Sequence, residues 1–396
     1  SHNPHEGELL VAAQKKYNEP ALLKKFHPVL HKKNMAYQKH YLQRQVCDAL
    51  VQYDSRNNLA HEIYNYISLI RIYRKKGLLR EAHITWKKAV DKARTTESFG
   101  LLNILKTEFE KMILSSNAQT HYDELHAIFK ANLITYHEYR ELITLRDIYT
   151  EILLLKKKAH FDLDESIRMT IEQLSRQVES CQPPEQSRSF WYRHYYFMSK
   201  ATSLYLLQQP AASMRVLQEV WKEWKGNSEY MGTHTEFYLE LLYMINYAGI
   251  LQGEYDIVRQ VFRDDLNKQI REPGHLAQFE AIKFLALNKI YNKTARYDEV
   301  EKLLTQVKIK YQQWERVLNS DMNRTVCLSL AIACFVLEQY PDALYYTKRG
   351  INYFKDGARE EHAAFAQILL LLIAYSMNHV RLFDAQYRTT YAYFHR

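Results

Sequence analysis

The chain has 396 residues, with 54 Lys and Arg against 45 Asp and Glu, a formal net charge of +9, and only 10 glycines and 8 prolines. So few chain breakers among abundant Leu, Lys, Glu, Gln and Ala exclude a turn-rich β-protein and leave an all-α chain of long helices and short turns. The richest apolar run, "AAFAQILLLLIAYSM" at 363–377, is interrupted by Gln367 and falls short of the ~20 residues that cross a bilayer, so no membrane span is expected.

In chain order, residues 1–57 read as an N-terminal basic helical cap. The opening "SHNPHEGELLVAAQKK" lacks a basic start, an apolar run and a small-residue cleavage site, so no signal peptide is expected; without an initiator Met, the native start stays open. A helical hairpin follows. Tyr66, Leu69, Ile70 and Tyr73 recur at three- and four-residue spacing and predict one face of a first helix. Gly77 ends it, because glycine alone takes the left-handed backbone conformation without steric cost. Ala82, Trp86 and Ala89 then share a face of a second helix, where small residues flank a ring that fills the gap between two closely packed helices.

The pattern recurs. Turns that open a helix stand at "THYDELHAIF" (120–129), "FDLDESIRM" (161–169), "QQPAASMRVL" (208–217), "GEYDIVRQVF" (253–262), "ARYDEVEKLL" (295–304), "EQYPDALYYT" (338–347) and "NHVRLFDAQY" (378–387). Counted from Gly77, they fall 40–47 residues apart. That step predicts about eight hairpins whose helices are each about 18 residues and ~27 Å long. The segment "VESCQPPEQSRSF" at 178–190 is the least helical and divides a first repeat block, 58–180, from a second, 181–396, which closes with a capping helix.

The set Tyr66, Leu69, Tyr73, Gly77, Ala82, Trp86 and Ala89 resembles the tetratricopeptide helix-turn-helix motif, with Ile70 and Arg94 standing where that family prefers a small residue and a proline. The resemblance implies a right-handed α-solenoid of about eight tetratricopeptide-like repeats, each about 40–47 residues against ~34 in the standard unit. A wider resemblance, to a group of uncharacterised helical-repeat proteins of Bacteroidetes-type bacteria, rests on Tyr17 to Phe26, Tyr41 to Tyr53 and Arg381 to Tyr393. It implies the same fold and no chemistry.

Catalytic constellations are missing from the sequence: there is no HExxH, no phosphate-binding glycine loop and no GxSxG. His27 and His31 have a metal-compatible spacing but enclose Pro28 and have no third ligand nearby, and His121 and His126 flank a turn. Asp164–Glu165 and Asp298–Glu299 sit where helices begin and complement the positive end of the helix dipole. Cys47, Cys181, Cys327 and Cys334 form no CxxC pair, and the last two share a helix face suited to core packing, which fits a reducing cytoplasm. No catalytic residue, cofactor or metal is therefore expected.

Charge and aromatic residues carry what functional signal there is. The first 95 residues hold 18 Lys and Arg against 8 Asp and Glu, a balance of +10, and the remainder balances to −1. Lys15, Lys16, Lys24, Lys25, Lys32, Lys33, Lys75, Lys76, Lys87 and Lys88 form a candidate basic patch for nucleic acid or an acidic protein. The stretch Phe190–Phe197 packs six aromatics into eight residues. A helix aromatic all round would leave some rings facing a groove in a two-layer array. Arg71, Arg74, Tyr195, Met198, Tyr205, Tyr243, Tyr247 and Lys289 are accordingly the candidate groove residues. The reading that results is a non-enzymatic cytoplasmic scaffold binding a protein or peptide partner, with a nucleic-acid- or ribosome-associated protein as the alternative.

Overall fold

The computed structural model describes residues 35–55, 59–114, 122–158, 164–181, 189–232, 234–354 and 360–395. Among them every regular element is helical, and the all-α expectation holds. The helices are α1 (Met35–Ser55), α2 (Leu59–Lys75), α3 (Leu79–Thr95), α4 (Phe99–Leu114), α5 (Tyr122–Lys158), α6 (Glu165–Ser180), α7 (Phe190–Leu206) and α8 (Pro210–Gly226). They continue with α9 (Thr235–Gln252), α10 (Tyr255–Arg263), α11 (Pro273–Lys293), α12 (Tyr297–Trp314), α13 (Ser320–Val336), α14 (Tyr340–Ile351), α15 (Glu360–Ser376) and α16 (Val380–Phe394).

Six hairpins are closed by the same turn. Gly77, Gln208, Gly253, Ala295, Glu338 and Asn378 all have φ between 51° and 76°, just past the last residues of α2, α7, α9, α11, α13 and α15. In each turn the left-handed residue donates to the carbonyl three residues back and its successor to the carbonyl five back, as in Gln208 N to Tyr205 O at 3.1 Å and Gln209 N to Leu204 O at 2.8 Å. The pair satisfies two carbonyls that the helix end would otherwise leave bare. From Gln208 onward these residues recur about every 40–45 positions. Four of the six are not glycine, so the backbone strain of a left-handed residue is accepted for the turn it makes.

Two helices depart from the predicted length. Tyr122–Lys158 runs unbroken for 37 residues, about twice the expected span, because it contains neither Gly nor Pro to end it. Conversely, α10 stops after 9 residues, where Asp264 turns extended and accepts a hydrogen bond from Leu266 N to open a short 3-10 turn, Asp265–Gln269. The predicted turns at 120 and 161 fall on or beside residues outside the described set.

The chain divides into two compact units, Ser1–Ala93 with Thr107–Ser116 and Arg94–Lys106 with Asn117–Arg396. In the first unit, Ile63, Ile67 and Ile70 of α2, Ala82, Trp86 and Ala89 of α3 and Phe109 of α4 are all buried. Trp86 stacks on Phe109 at 4.3 Å between ring centroids. The predicted α2 face is rotated: Leu69 is 39% exposed, and the buried line runs through Ile63 and Ile67 instead. Tyr66 turns to the flank, where its hydroxyl donates to Glu62 at 3.0 Å and Lys92 of α3 also pairs with Glu62.

In the second unit the first helices pack in succession, α5 on α7, α9 on α11 and α11 on α13, while α6, α8, α10, α12 and α14 fill the spaces between neighbours. Helix α11 buries Phe279, Ile282 and Ala286 in one cluster and Ala281, Phe284 and Leu285 in the next, so it is apolar on opposite faces and joins two cores. At Gly249 of α9, a Cβ would stand 2.5 Å from Val258 Cγ2 of α10, so only glycine permits this approach.

The turn chemistry is testable. Ala295→Gly is expected to stabilise the chain, and Gly253→Ala, where nothing crowds an added Cβ, to destabilise it, each by about 1 kcal/mol. Opposite shifts of the urea midpoint at constant slope would show this.

Candidate functional site

Of the predicted basic patch, Lys75 and Lys76 are exposed at the end of α2 and Lys87 and Lys88 midway along α3, and Lys15, Lys16, Lys24, Lys25, Lys32 and Lys33 lie outside the described residues. Two predicted groove cations have structural work. Arg71 Nε lies 2.8 Å from Glu108 Oε1, Lys111 Nζ lies 3.2 Å from the same oxygen, and Arg74 Nη2 is 3.9 Å from Oε2. Burial alone would raise the Glu108 carboxyl, but the hydrogen bonds from Arg71 and Lys111 outweigh it and hold the group below the usual carboxylate range. Arg71 and Arg74 thus neutralise a buried acid.

The aromatic helix α7 corrects an expectation. Phe190, Trp191, Tyr192, Tyr195 and Tyr196 are all buried, Met198 is fully so and Phe197 is half-buried, so the helix presents no open row of rings, and only the edges of Trp191 and Tyr195 reach a cleft. The reason is coverage: α5, α6, α8 and α9 all pack on α7, where a two-layer array would leave one side bare. Tyr205 is half-buried against the same core.

Inside this ring cluster sits His194, fully buried, with neither ring nitrogen hydrogen-bonded. Phe190, Trp191, Tyr195, Trp224 and Phe237 surround it at 5.5–6.1 Å between centroids. Burial, with a smaller repulsion from His234, pushes its pKa down to about 3, so the ring is neutral.

The N-terminus of α7 is held from a distance. Glu97, in the left-handed turn before α4, accepts hydrogen bonds from Phe190 N at 2.9 Å and Trp191 N at 3.2 Å. Its carboxylate therefore meets the positive end of the helix dipole. Burial raises its pKa nonetheless, against the pull of those two amides. Sequence reasoning missed Glu97, because the two amides it binds lie 93 and 94 residues further along the chain.

Beside this capped end opens a cleft of about 250 Å³. Its walls are Phe99, Tyr139, Trp191, Tyr195, His234 and Phe237, with Glu97 and Arg146 as the charged members. A second hollow, about 430 Å³, is lined by Glu315, Tyr345, Lys348, Arg349, Asn352 and Tyr353. There Arg349 pairs with Glu315, which also accepts from the Tyr353 hydroxyl, so the site's central charges satisfy each other.

Three predicted groove residues do converge. The Tyr243 hydroxyl donates to that of Tyr247 at 3.0 Å, and Lys289 of α11 lies 4.6 Å over the Tyr247 ring. Lys156 of α5 joins them, donating to Glu240 Oε1 at 2.8 Å and lying 5.6 Å from the Tyr243 ring centre. Neither Lys156 nor Glu240 was legible beforehand. Counted back from the left-handed residues that follow α9, α11, α13 and α15, the sixth position holds Tyr247, Lys289, Ile332 and Leu372, all at least partly exposed, whereas on α7 it holds the fully buried Thr202. One register of the first helices is thus left open from α9 onward.

Among the described residues no cluster of three or more His, Cys, Asp or Glu is placed to hold a metal, and no helix is long and apolar enough to cross a membrane. His27 and His31 lie outside them. Cys327 and Cys334 are fully buried in the second core, where burial pushes both thiols up to about 11, which suits packing rather than reactivity. No known protein family matches the chain, and no curated protein does.

His194 gives a pH prediction with a definite sign. Folded, it stays neutral down to about pH 3, whereas unfolded it takes up a proton near its ordinary value of 6.5. Between those values the unfolded chain binds more protons, so stability falls as pH falls. His234, also lowered by burial, acts in the same direction. His194 is expected to cost about 2 kcal/mol between pH 6.5 and 5, and urea melts of His194→Phe at both pH values should lack that part of the loss.

Proposed function

We propose that the chain is a non-enzymatic helical-repeat scaffold, a right-handed tetratricopeptide-like solenoid of about eight units of 40–47 residues, that binds a protein or peptide partner along its first helices. Six identical turns, the last five of them 40–45 residues apart, support the repeat reading, and the double-length α5 fits two unit helices run together. The observation that carries the binding reading is the open register through Tyr247 and Lys289, with Tyr243, Lys156 and Glu240 beside it. Tyrosines joined through their hydroxyls are held in place before any partner arrives. They offer contact area at low entropic cost and keep a hydrogen-bonding tip, while lysines over their faces add charge. Four free cysteines suit a reducing compartment, and we assign the chain to the cytoplasm on that ground.

The exposed Lys75, Lys76, Lys87 and Lys88 favour the second reading, nucleic-acid association through the basic first quarter. One experiment separates the two. Peptides selected by display against the immobilised chain are expected to lose at least tenfold in affinity, about 1.4 kcal/mol, in Tyr247→Ala and Lys289→Glu. They should bind unchanged when the four lysines are reversed to Glu. Steeply salt-dependent retention on RNA, abolished by the four reversals and untouched by Tyr247→Ala, would sink the scaffold reading.

A further inference from the structure

We infer that the cleft beside the α7 N-terminus is a second binding site, an anchor pocket for one aromatic side chain of a peptide whose neighbouring group is a carboxylate. The inference rests on the reading of the chain as a peptide-binding scaffold, but it concerns a different place, formed by the 96–100 turn and helices α5, α7 and α9.

Size sets the first limit. A cleft of about 250 Å³ is below the range of about 300–1,000 Å³ that encloses a drug-sized molecule or cofactor. It is suited to a single side chain, the scale on which interface anchors work. Chemistry sets the second. Trp191 and Phe237 lie 5.2 Å apart at 64°, and Trp191 and Tyr195 6.0 Å apart, so their edges and faces present the mixed geometry that aromatic rings prefer to join. All three are held by the core behind them, so binding costs little ordering.

Charge sets the third. Glu97 lines the cleft, but its two carboxylate oxygens are committed to Phe190 N and Trp191 N, at the positive end of α7. Arg146 stands at the rim about half exposed, and among the described residues the carboxylate paired with it is Asp147, at 3.7 Å and itself 67% exposed. No side chain caps the N-terminus of α9, where His234 and Phe237 meet the cleft. Glu236, in the first turn of α9, is exposed to solvent. The group best placed to meet an incoming charge is therefore the Arg146 guanidinium, whose fork matches a carboxylate.

N-acetylphenylalanine carries both features and is the probe. Saturation-transfer NMR with the full chain is expected to show its ring protons bound. N-acetylphenylalaninamide, without the charge, should bind about threefold more weakly or less, and N-acetylaspartate, without the ring, not at all. Arg146→Gln, at a half-exposed position that leaves helix content unchanged by circular dichroism, should erase the difference between acid and amide. Tyr247→Ala should leave both unchanged, which separates failure here from failure of the first-helix surface. Equal or tighter binding of phenethylamine, or an acid preference that survives Arg146→Gln, would overturn the assignment, as would no detectable binding of N-acetylphenylalanine.

Discussion

Two backbone hydrogen bonds at each left-handed turn are the constraint on which the second unit depends. The turn fixes where each first helix ends and how many residues separate it from the next, and so which side chains arrive at each level of the stack. Because Gln208, Gly253, Ala295, Glu338 and Asn378 make the same pair of bonds, the helices before them present corresponding positions to corresponding neighbours. Side-chain identity is secondary at the turn itself. At Gly249, inside a helix, the fold demands glycine for space.

Register alone does not decide exposure. Ten residues before the turn stand Met198, Tyr243, Leu285, Leu328 and Ile368, which range from fully buried through half-buried to 45% exposed. Helices α7, α9 and α11 each have four helical neighbours, so what differs is how fully side chains fill those contacts: Met198 is closed over and Tyr243 is half-buried. On α7 aromatic rings do the filling. A helix enclosed on all sides must fill more volume, and its rings do so at the cost of enclosing His194 without a hydrogen bond. That neutral histidine ties the best-packed part of the chain to pH.

Legibility in the sequence followed the same division between local and long-range causes. Gly77 and Gly253 announced their turns by residue type, and Gln208 and Glu338 became legible only through the phase those glycines set. The α2 hairpin was read with Ala82, Trp86 and Ala89 correctly inward, but the Leu69 face was rotated toward Ile63 and Ile67, because three- and four-residue spacing fits more than one apolar stripe on α2. The uninterrupted 122–158 helix was visible as a lack of Gly and Pro, and the repeat phase wrongly argued for a break. Tyr243, Tyr247 and Lys289 were named from their place on the first helix of a tetratricopeptide-like unit and lie together, whereas Glu97, bound to amides 93 and 94 residues away, has no local signature.

The charged groups divide along one physical line, and that line separates scaffold from surface. Arg71 and Arg74 are bound to a buried acid, Glu315 is answered by Arg349 and Tyr353, and Glu97 is spent on a helix end. Removing one member of such a set would leave an uncompensated buried charge, so these residues are fixed by the fold. Lys289 over Tyr247 and Arg146 at its cleft have no buried charge to answer. Their positions are set by rigid helices and their charges remain turned toward solvent, the combination that lets a side chain recognise a partner without weakening the structure that holds it.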